Sequence, residues 1–406
     1  MKKFKALHWL FSINVYFILI VSLAVQLLPA GLKAQENKGL PFITNYRYQD
    51  YNAGGVNWWA AEDNKGVMYF ANGQGVLVYD GQQWETVVPP GNSETRSLVK
   101  GNDGKIYVGT NGDIGYIGQG KKGRLEYISL KNKIPENHRK FNEVWETQNF
   151  NGDIFFRATN KMFRWNGTAM KVYESKEGFH VGDVVNNQYY VRIWGRGLTI
   201  LKEDSLHVVP NGEKFANERI YAYIPYDKGR MLIGTRTQGL FIYDGKDFTP
   251  FKTEADAYLV NKSLYGGIRL SNGNFAFNNF NDGIVIIDKQ GKLVQVIDKT
   301  VGLMDNAADY VFEDSRGILW IPLFNGIAKF DLHSSLTYYN ETMGLPGKAV
   351  FNIGIINDTV YAGTNTGVYM LNKNINRFEK LAGSSGQIGN FILNGNDLLV
   401  AAADNG

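Results

Sequence analysis

The amino-acid sequence predicts an all-β protein, a β-propeller of four-stranded antiparallel blades, on three observations. A unit of about 40 residues recurs from just behind the N-terminal segment to the end of the chain. Within each unit, short runs rich in Val, Ile, Tyr and Phe are separated by Asp-Gly, Asn-Gly and glycine-rich turns. Beyond the N-terminal segment no stretch carries a long helical period.

The unit is plainest at Trp58–Trp84. A turn, Glu62-Asp63-Asn64-Lys65-Gly66, precedes the strand Val67-Met68-Tyr69-Phe70. A second turn, Ala71-Asn72-Gly73-Gln74-Gly75, leads to Val76-Leu77-Val78-Tyr79, then Asp80-Gly81 and Trp84. The same order returns at Ile220–Phe248, with Asp244-Gly245 and Phe248 in the matching places. Aligned on the residue before the third apolar run, the units are marked by Gly75, Asp113, Lys161, Gly197, Gly239, Gly283, Gly326, Gly367 and Gly406. That makes nine units, the last cut off by the chain end. One four-stranded sheet cannot bury both faces alone, and radial stacking buries them while leaving only short edges. The expectation is therefore one seven-bladed ring over 35–335 and the first blades of a second propeller over 336–406. Tyr46–Tyr51, which resembles Thr337–Thr342, is expected to close the first ring as the outer strand of a blade. The recurring aromatics Trp59, Tyr69, Tyr107, Phe156, Trp320 and Tyr361 read as packing between blades.

The first 34 residues stand apart. Lys2, Lys3 and Lys5 are followed by a nearly apolar stretch from Leu10 to Leu28 and by small residues up to Ala34. This order is that of a signal peptide cleaved after Ala34; the rival reading is an uncleaved anchor. Either places the remainder on the periplasmic or extracellular side. It also explains the charge. Of 43 basic and 39 acidic residues, four lysines and no acid lie in 1–34, so the remainder balances at 39 against 39. The basic excess belongs to the targeting segment and gives no support to a nucleic-acid partner.

A more specific signal runs through Gly302-Leu303-Met304-Asp305-Asn306, Val311-Phe312-Glu313-Asp314, Gly317-Ile318-Leu319-Trp320-Ile321, Asn325-Gly326-Ile327 and Phe330-Asp331. Gly344-Leu345-Pro346-Gly347 and Gly363-Thr364-Asn365-Thr366-Gly367-Val368 repeat it. This pattern resembles the two-component regulator propeller repeat, found in outward-facing sensor regions of signalling proteins from Bacteroidetes-type bacteria. The resemblance covers 40–406 and is strongest in units one, two, five, seven and eight. Unit seven has Pro322-Leu323, and unit one Phe70-Ala71, where a Gly-Thr pair is usual. The resemblance implies two seven-bladed propellers, an immunoglobulin-like domain, a membrane helix and a cytoplasmic output module such as a histidine kinase or a DNA-binding regulator. The last three are expected in sequence downstream of this chain.

Catalytic groupings are not visible. There is no cysteine, and His138, His180, His207 and His333 share no metal-ligand spacing. No phosphate-binding loop or serine nucleophile elbow occurs. No cofactor, metal or catalytic residue is expected in this segment. The loops joining strands two and three should surround one mouth of the central channel. There Trp194, Arg196, Arg236, Gln238, Asn279, Asn281 and Asp282 are the candidate ligand-binding residues, since amides, charges and an indole suit a polar ring-shaped molecule. The expected function is an extracytoplasmic ligand-sensing region of a transmembrane regulator, responsive to a small molecule or an oligosaccharide. The alternatives are a secreted propeller enzyme acting on glycans and a protein-binding scaffold. Expected partners are that ligand, the membrane through a downstream helix, and a second copy of the chain in a homodimer.

Overall fold

A computed structural model describes residues 39–402 except 121–122, 261–262, 333, 335, 348, 374 and 395–396. The expected signal peptide, His333 and Gly406 lie outside the described residues. Short apolar runs between tight turns fold as antiparallel meanders, because residues of positive φ at the turns let each strand reverse onto the last. In Leu40–Thr337 this produces seven four-stranded sheets. Their first, innermost strands are Asn57–Glu62, Thr95–Lys100, Val144–Phe150, Phe179–Val185, Ile220–Asp227, Leu264–Arg269 and Phe312–Glu313. We number the sheets as blades one to seven in that order. Among the described residues no helix is long and apolar enough to cross a membrane.

Each pair of neighbouring blades encloses its own cluster of buried apolar side chains, blade seven against blade one included. At that last interface Trp320 and Ile327 pack on Met68, Phe70 and Leu77. The N-terminal strand Ile43–Tyr46 supplies the outer strand of blade seven by pairing with Gly326–Asp331. Of the expected Tyr46–Tyr51 only Tyr46 belongs to this closing strand, which starts three residues earlier. Tyr48–Tyr51 instead forms one helical turn, held by the Arg47 amide donating to Asp50 Oδ2 at 2.6 Å.

The repeat residues have mechanical roles. In blade five Thr235 Oγ1 donates to the Gly239 carbonyl at 2.8 Å, and in blade two Thr110 Oγ1 donates to Asp113 O at 3.1 Å, each closing the second-to-third-strand turn. The preceding glycine makes room for the next blade: a Cβ on Gly109 would lie 2.5 Å from Val144 Cγ1. In blade one Asn72 takes the threonine's place and hydrogen-bonds Gly54 O, Val56 O and Asn57 Oδ1. At the opposite end of the blades, aspartates receive the turn amides and latch an aromatic ring. Asp314 Oδ2 accepts from Trp320 Nε1 at 3.0 Å, Asp63 Oδ2 from Tyr69 and Asp103 Oδ2 from Tyr107. Neighbouring blades are tied there as well: Glu62 accepts from the Ser315 amide and hydroxyl, and Glu313 from those of Ser271.

A second compact unit begins at Tyr338. It contains the sheet Val350–Ile356, Thr359–Thr364, Gly367–Asn372 and Arg377–Lys380, followed by the paired strands Ile388–Asn394 and Asp397–Ala402.

Candidate functional site

The innermost strands do not run straight into the channel mouth. In blades one to six the register of the first strand against the second slips by one residue near its start. In blade seven the same slip separates the Ala308–Leu323 bridge from the Phe312–Trp320 pair. A β-bulge of this kind leaves one side chain without a cross-strand partner and re-aims it. The residues directly after the first paired position are Trp58, Arg96, Trp145, His180, Tyr221, Tyr265 and Asp309, one from each blade. All seven line a single cavity of about 500 Å³ at this end of the channel. Trp194, from the second-to-third-strand turn of blade four, Arg219, just before blade five, and Glu146, Arg157 and Asp183 are also in its wall.

The wall mixes aromatic and charged side chains. Arg96 is held between two indoles, its guanidinium carbon 3.8 Å from the Trp58 ring centre and 5.2 Å from that of Trp145, and it pairs with Glu94 at 2.5 Å. Tyr221 and Tyr265 lie side by side with centroids 5.0 Å apart. Deeper in the channel Trp59 stacks on Tyr310 at 4.1 Å, so Trp59 faces the channel as well as the core between blades one and two. The buried Glu146 carboxylate pairs with Arg157 Nε at 2.8 Å and also accepts from the Gly182 amide.

Three titratable groups are displaced from their ordinary behaviour. Burial, with Glu146 nearby, pushes the Asp183 carboxyl up to about 7. Burial also lifts Asp309 to about 7, against the opposing pull of Arg96. Burial and then the cations Arg157, Arg192 and Arg219 press His180 down to about 3, so its imidazole is neutral at physiological pH. Several buried polar atoms around the site have no protein partner: Arg96 Nε, His180 Nδ1 and Asp309 Oδ2 on the wall itself, with Arg192 Nη1 behind Trp194. Unpaired buried donors and acceptors are costly. Four such atoms lie in or just behind the wall of this one cavity.

Of the residues expected from sequence, Trp194 lines the cavity. The other six stand in the same set of turns but outside its wall. Arg196 is exposed and donates to the Leu206 carbonyl at 3.0 Å. Gln238 donates to Glu218 Oε2 at 3.3 Å, and the Arg236 amide to Arg219 O at 2.9 Å. Asn279 is fully buried with neither side-chain atom partnered, Asn281 is exposed, and Asp282 is half-buried. The sequence reading therefore places one of its seven residues on this cavity wall and does not include the bulge ring. A signal was present: each ring residue stands 16 to 18 positions before the residue that marks the third strand of its blade.

The fold is a β-propeller with a cavity at one mouth of its channel, within the size of about 300–1,000 Å³ typical of ligand pockets. No protein-family model and no curated protein matches the chain. Solved structures do. The extracellular domain of a B. thetaiotaomicron protein assigned as a hybrid two-component system superposes with a TM-score of 0.58 at 15% identity, over 89% of this chain and 51% of that one. A streptogramin B lyase gives a TM-score of 0.56 at 12% identity, over 71% of this chain and 96% of its own. The WD40 propeller domain of Doa1 gives 0.56 at 13%, over 73% and 97%. At these identities the likeness is one of fold. The chain spans about half the length of the sensor domain it matches.

Proposed function

We propose that this chain is the extracytoplasmic ligand-sensing part of a transmembrane signal-transduction regulator of the two-component regulator propeller family. The bulge-ring cavity is its ligand site. One observation carries the reading: the residue re-aimed by the first-strand bulge of each of seven blades lines one cavity, and these residues are aromatic, cationic, imidazole and acidic rather than a uniform packing set. The bulge itself belongs to the repeat, since the first strands Val350–Ile356 and Ile388–Asn394 carry it as well. The sequence resemblance and the structural likeness to an extracellular sensor domain support the signalling context. Aromatic faces interleaved with hydrogen-bonding groups suit a saccharide, which presents apolar ring faces and hydroxyl edges. For signalling, the ligand must bind one arrangement of the receptor better than another.

The test is a thermal-shift and calorimetric screen of the full chain against oligosaccharides, with Trp145→Ala and Trp194→Ala alongside. A ligand that raises the melting temperature of the parent chain and not of the variants supports the reading. A ligand that binds all three equally removes the cavity from it. The rival reading, a glycan-active enzyme, draws on Asp183 and Asp309, carboxyls held partly protonated at neutral pH beside the cavity. Turnover of chromogenic aryl glycosides that is lost in Asp309→Asn would favour it.

A further inference from the structure

The charges around the cavity are unevenly compensated. Arg192, on strand Gln188–Ile193 of blade four, is fully buried. Its Nε and Nη2 donate to the carbonyls of Phe215 at 3.1 Å and Ala216 at 2.5 Å, and Nη1 has no partner. The Trp194 ring covers the guanidinium at 3.5 Å, and the Arg219 guanidinium lies 5.7 Å from the same ring. Arg219 lines the cavity, and among the described residues no carboxylate pairs with it or with Arg192. Glu218, the acid next to it in sequence, is occupied by Thr237 Oγ1 at 2.7 Å, Gln238 Nε2 at 3.3 Å and the Arg219 amide at 3.0 Å. His180 stands edge-on to both Trp194 and Tyr221, with its Nδ1 buried and unpartnered. Arg157, the remaining cation of this side, already has Glu146.

A buried guanidinium ordinarily finds a carboxylate or pays a desolvation cost. Here the buried Arg192 and the half-buried Arg219 both lie against one indole at the cavity wall without a carboxylate pair. On the reading that the cavity is a saccharide site, we infer that its ligand is an acidic sugar. A ring carboxylate, as in a uronic acid, meets Arg219, and the sugar face lies on the aromatic side chains of the bulge ring. The arginine supplies a two-pronged, charge-assisted contact that a hydroxymethyl group cannot replace. Trp194 keeps Arg192 dry behind the site, so that its charge acts through a low-dielectric wall.

The inference is tested by calorimetry on the full chain with trisaccharides of galacturonate, glucuronate and mannuronate, each beside its carboxyl-reduced neutral counterpart. Sodium sulfate is included as a free-anion arm. At least one uronate should bind on the order of tenfold or more tighter than its reduced form. Arg219→Gln should remove that difference, Arg219→Lys should restore part of it, and all three proteins should melt alike. If a neutral trisaccharide binds as tightly as its uronate and is lost in Trp145→Ala but not in Arg219→Gln, the acidic-sugar inference falls while the saccharide site stands. If no trisaccharide binds, whether or not sulfate does, both fall.

Discussion

Asp314 and Asp309 stand on the same blade, five residues apart, and their surroundings drive them in opposite directions. Asp314 sits in the turn between the first two strands of blade seven. Its two oxygens accept from Trp320 Nε1, the Arg316 guanidinium and the amides of Arg316 and Ile318. Those donors hold its carboxyl below the ordinary aspartate range despite burial. Asp309 sits at the channel mouth, 8% exposed, with Oδ2 unpartnered, and burial lifts it to about 7. One carboxylate is the nucleus of a satisfied turn of the kind that blades one and two also carry. The other is left under-satisfied where the ring faces its cavity. The difference teaches where the repeat serves stability and where it serves something else, since natural proteins break local rules mainly at functional sites.

The largest effect should come from the turn. Trp320 is almost fully buried, anchors the interface between blades seven and one, and donates to Asp314. Trp320→Ala should cost about 3–5 kcal/mol in urea unfolding. An Asp314→Ala change should cost somewhat less, about 1–3 kcal/mol, because it strands the indole N–H and two turn amides. If Asp314→Ala were neutral, the latch would be ornamental and the contrast with Asp309 would fail.

The second effect is a slope rather than an offset. The folded pKa of Asp309 lies near 7 and the unfolded value near ~3.9. Between these the folded state holds the extra proton. The stability that Asp309 contributes is therefore fully present below about pH 4 and is lost as pH rises through about 7. Asp183, shifted the same way, adds to the trend. Asp314 acts with the opposite sign: its contribution is present above the ordinary aspartate range and is lost as pH falls through its lowered pKa. Asp309→Asn keeps the neutral shape, so its advantage over the parent chain should grow from pH 5 to pH 8 in urea midpoints. A difference that stays constant over that range would mean that the mouth carboxyl is ionised throughout.

The same contrast explains what could be read from sequence. The turns are legible because their chemistry forces residue types. Gly75, Gly197, Gly283, Gly326 and Gly367 each begin a third strand at positive φ, and a Cβ on Gly283 would lie 2.1 Å from the Ile297 carbonyl oxygen. That constraint repeats, so the eye finds it. The bulge ring repeats only in position. Its members are two tryptophans, two tyrosines, a histidine, an arginine and an aspartate, because a cavity wall asks a different side chain of each blade. Nothing local announces a bulge after Asn57 or Thr95, and Trp58-Trp59 reads as ordinary strand. Trp194, an indole out of place in a tight turn, is legible in the sequence and lines the cavity. Arg196 was chosen on the same logic, yet its backbone turns the side chain outward to the Leu206 carbonyl.

Trp145 separates wall from core more finely. It is 41% exposed while the next residue, Glu146, is buried in the ion pair with Arg157. Trp145→Ala should lower stability by no more than about 1 kcal/mol, since little apolar area leaves a packed interior. It should nonetheless abolish saccharide binding if the ring is the site. Glu146→Ala is the reverse case, unfolding the chain more readily by about 3–5 kcal/mol because Arg157 is left buried and unpaired.

The smallest expected effect is at Arg196, and it sharpens the boundary of the site. Arg196 and Trp194 are two residues apart in one turn, yet only Trp194 reaches the cavity. The Arg196 bond to Leu206 O is solvent-exposed, so losing it exchanges a protein partner for water. Arg196→Ala should change stability by no more than about 0.5 kcal/mol and leave the affinity for a trisaccharide unchanged. Arg236 and Gln238, on the next blade's turn, would meet only a ligand long enough to leave the cavity. A loss of affinity in Arg196→Ala that appears with longer oligosaccharides and not with a trisaccharide would extend the site from the bulge ring to the outer turns. A loss with the trisaccharide itself would move the site out of the cavity and onto the rim.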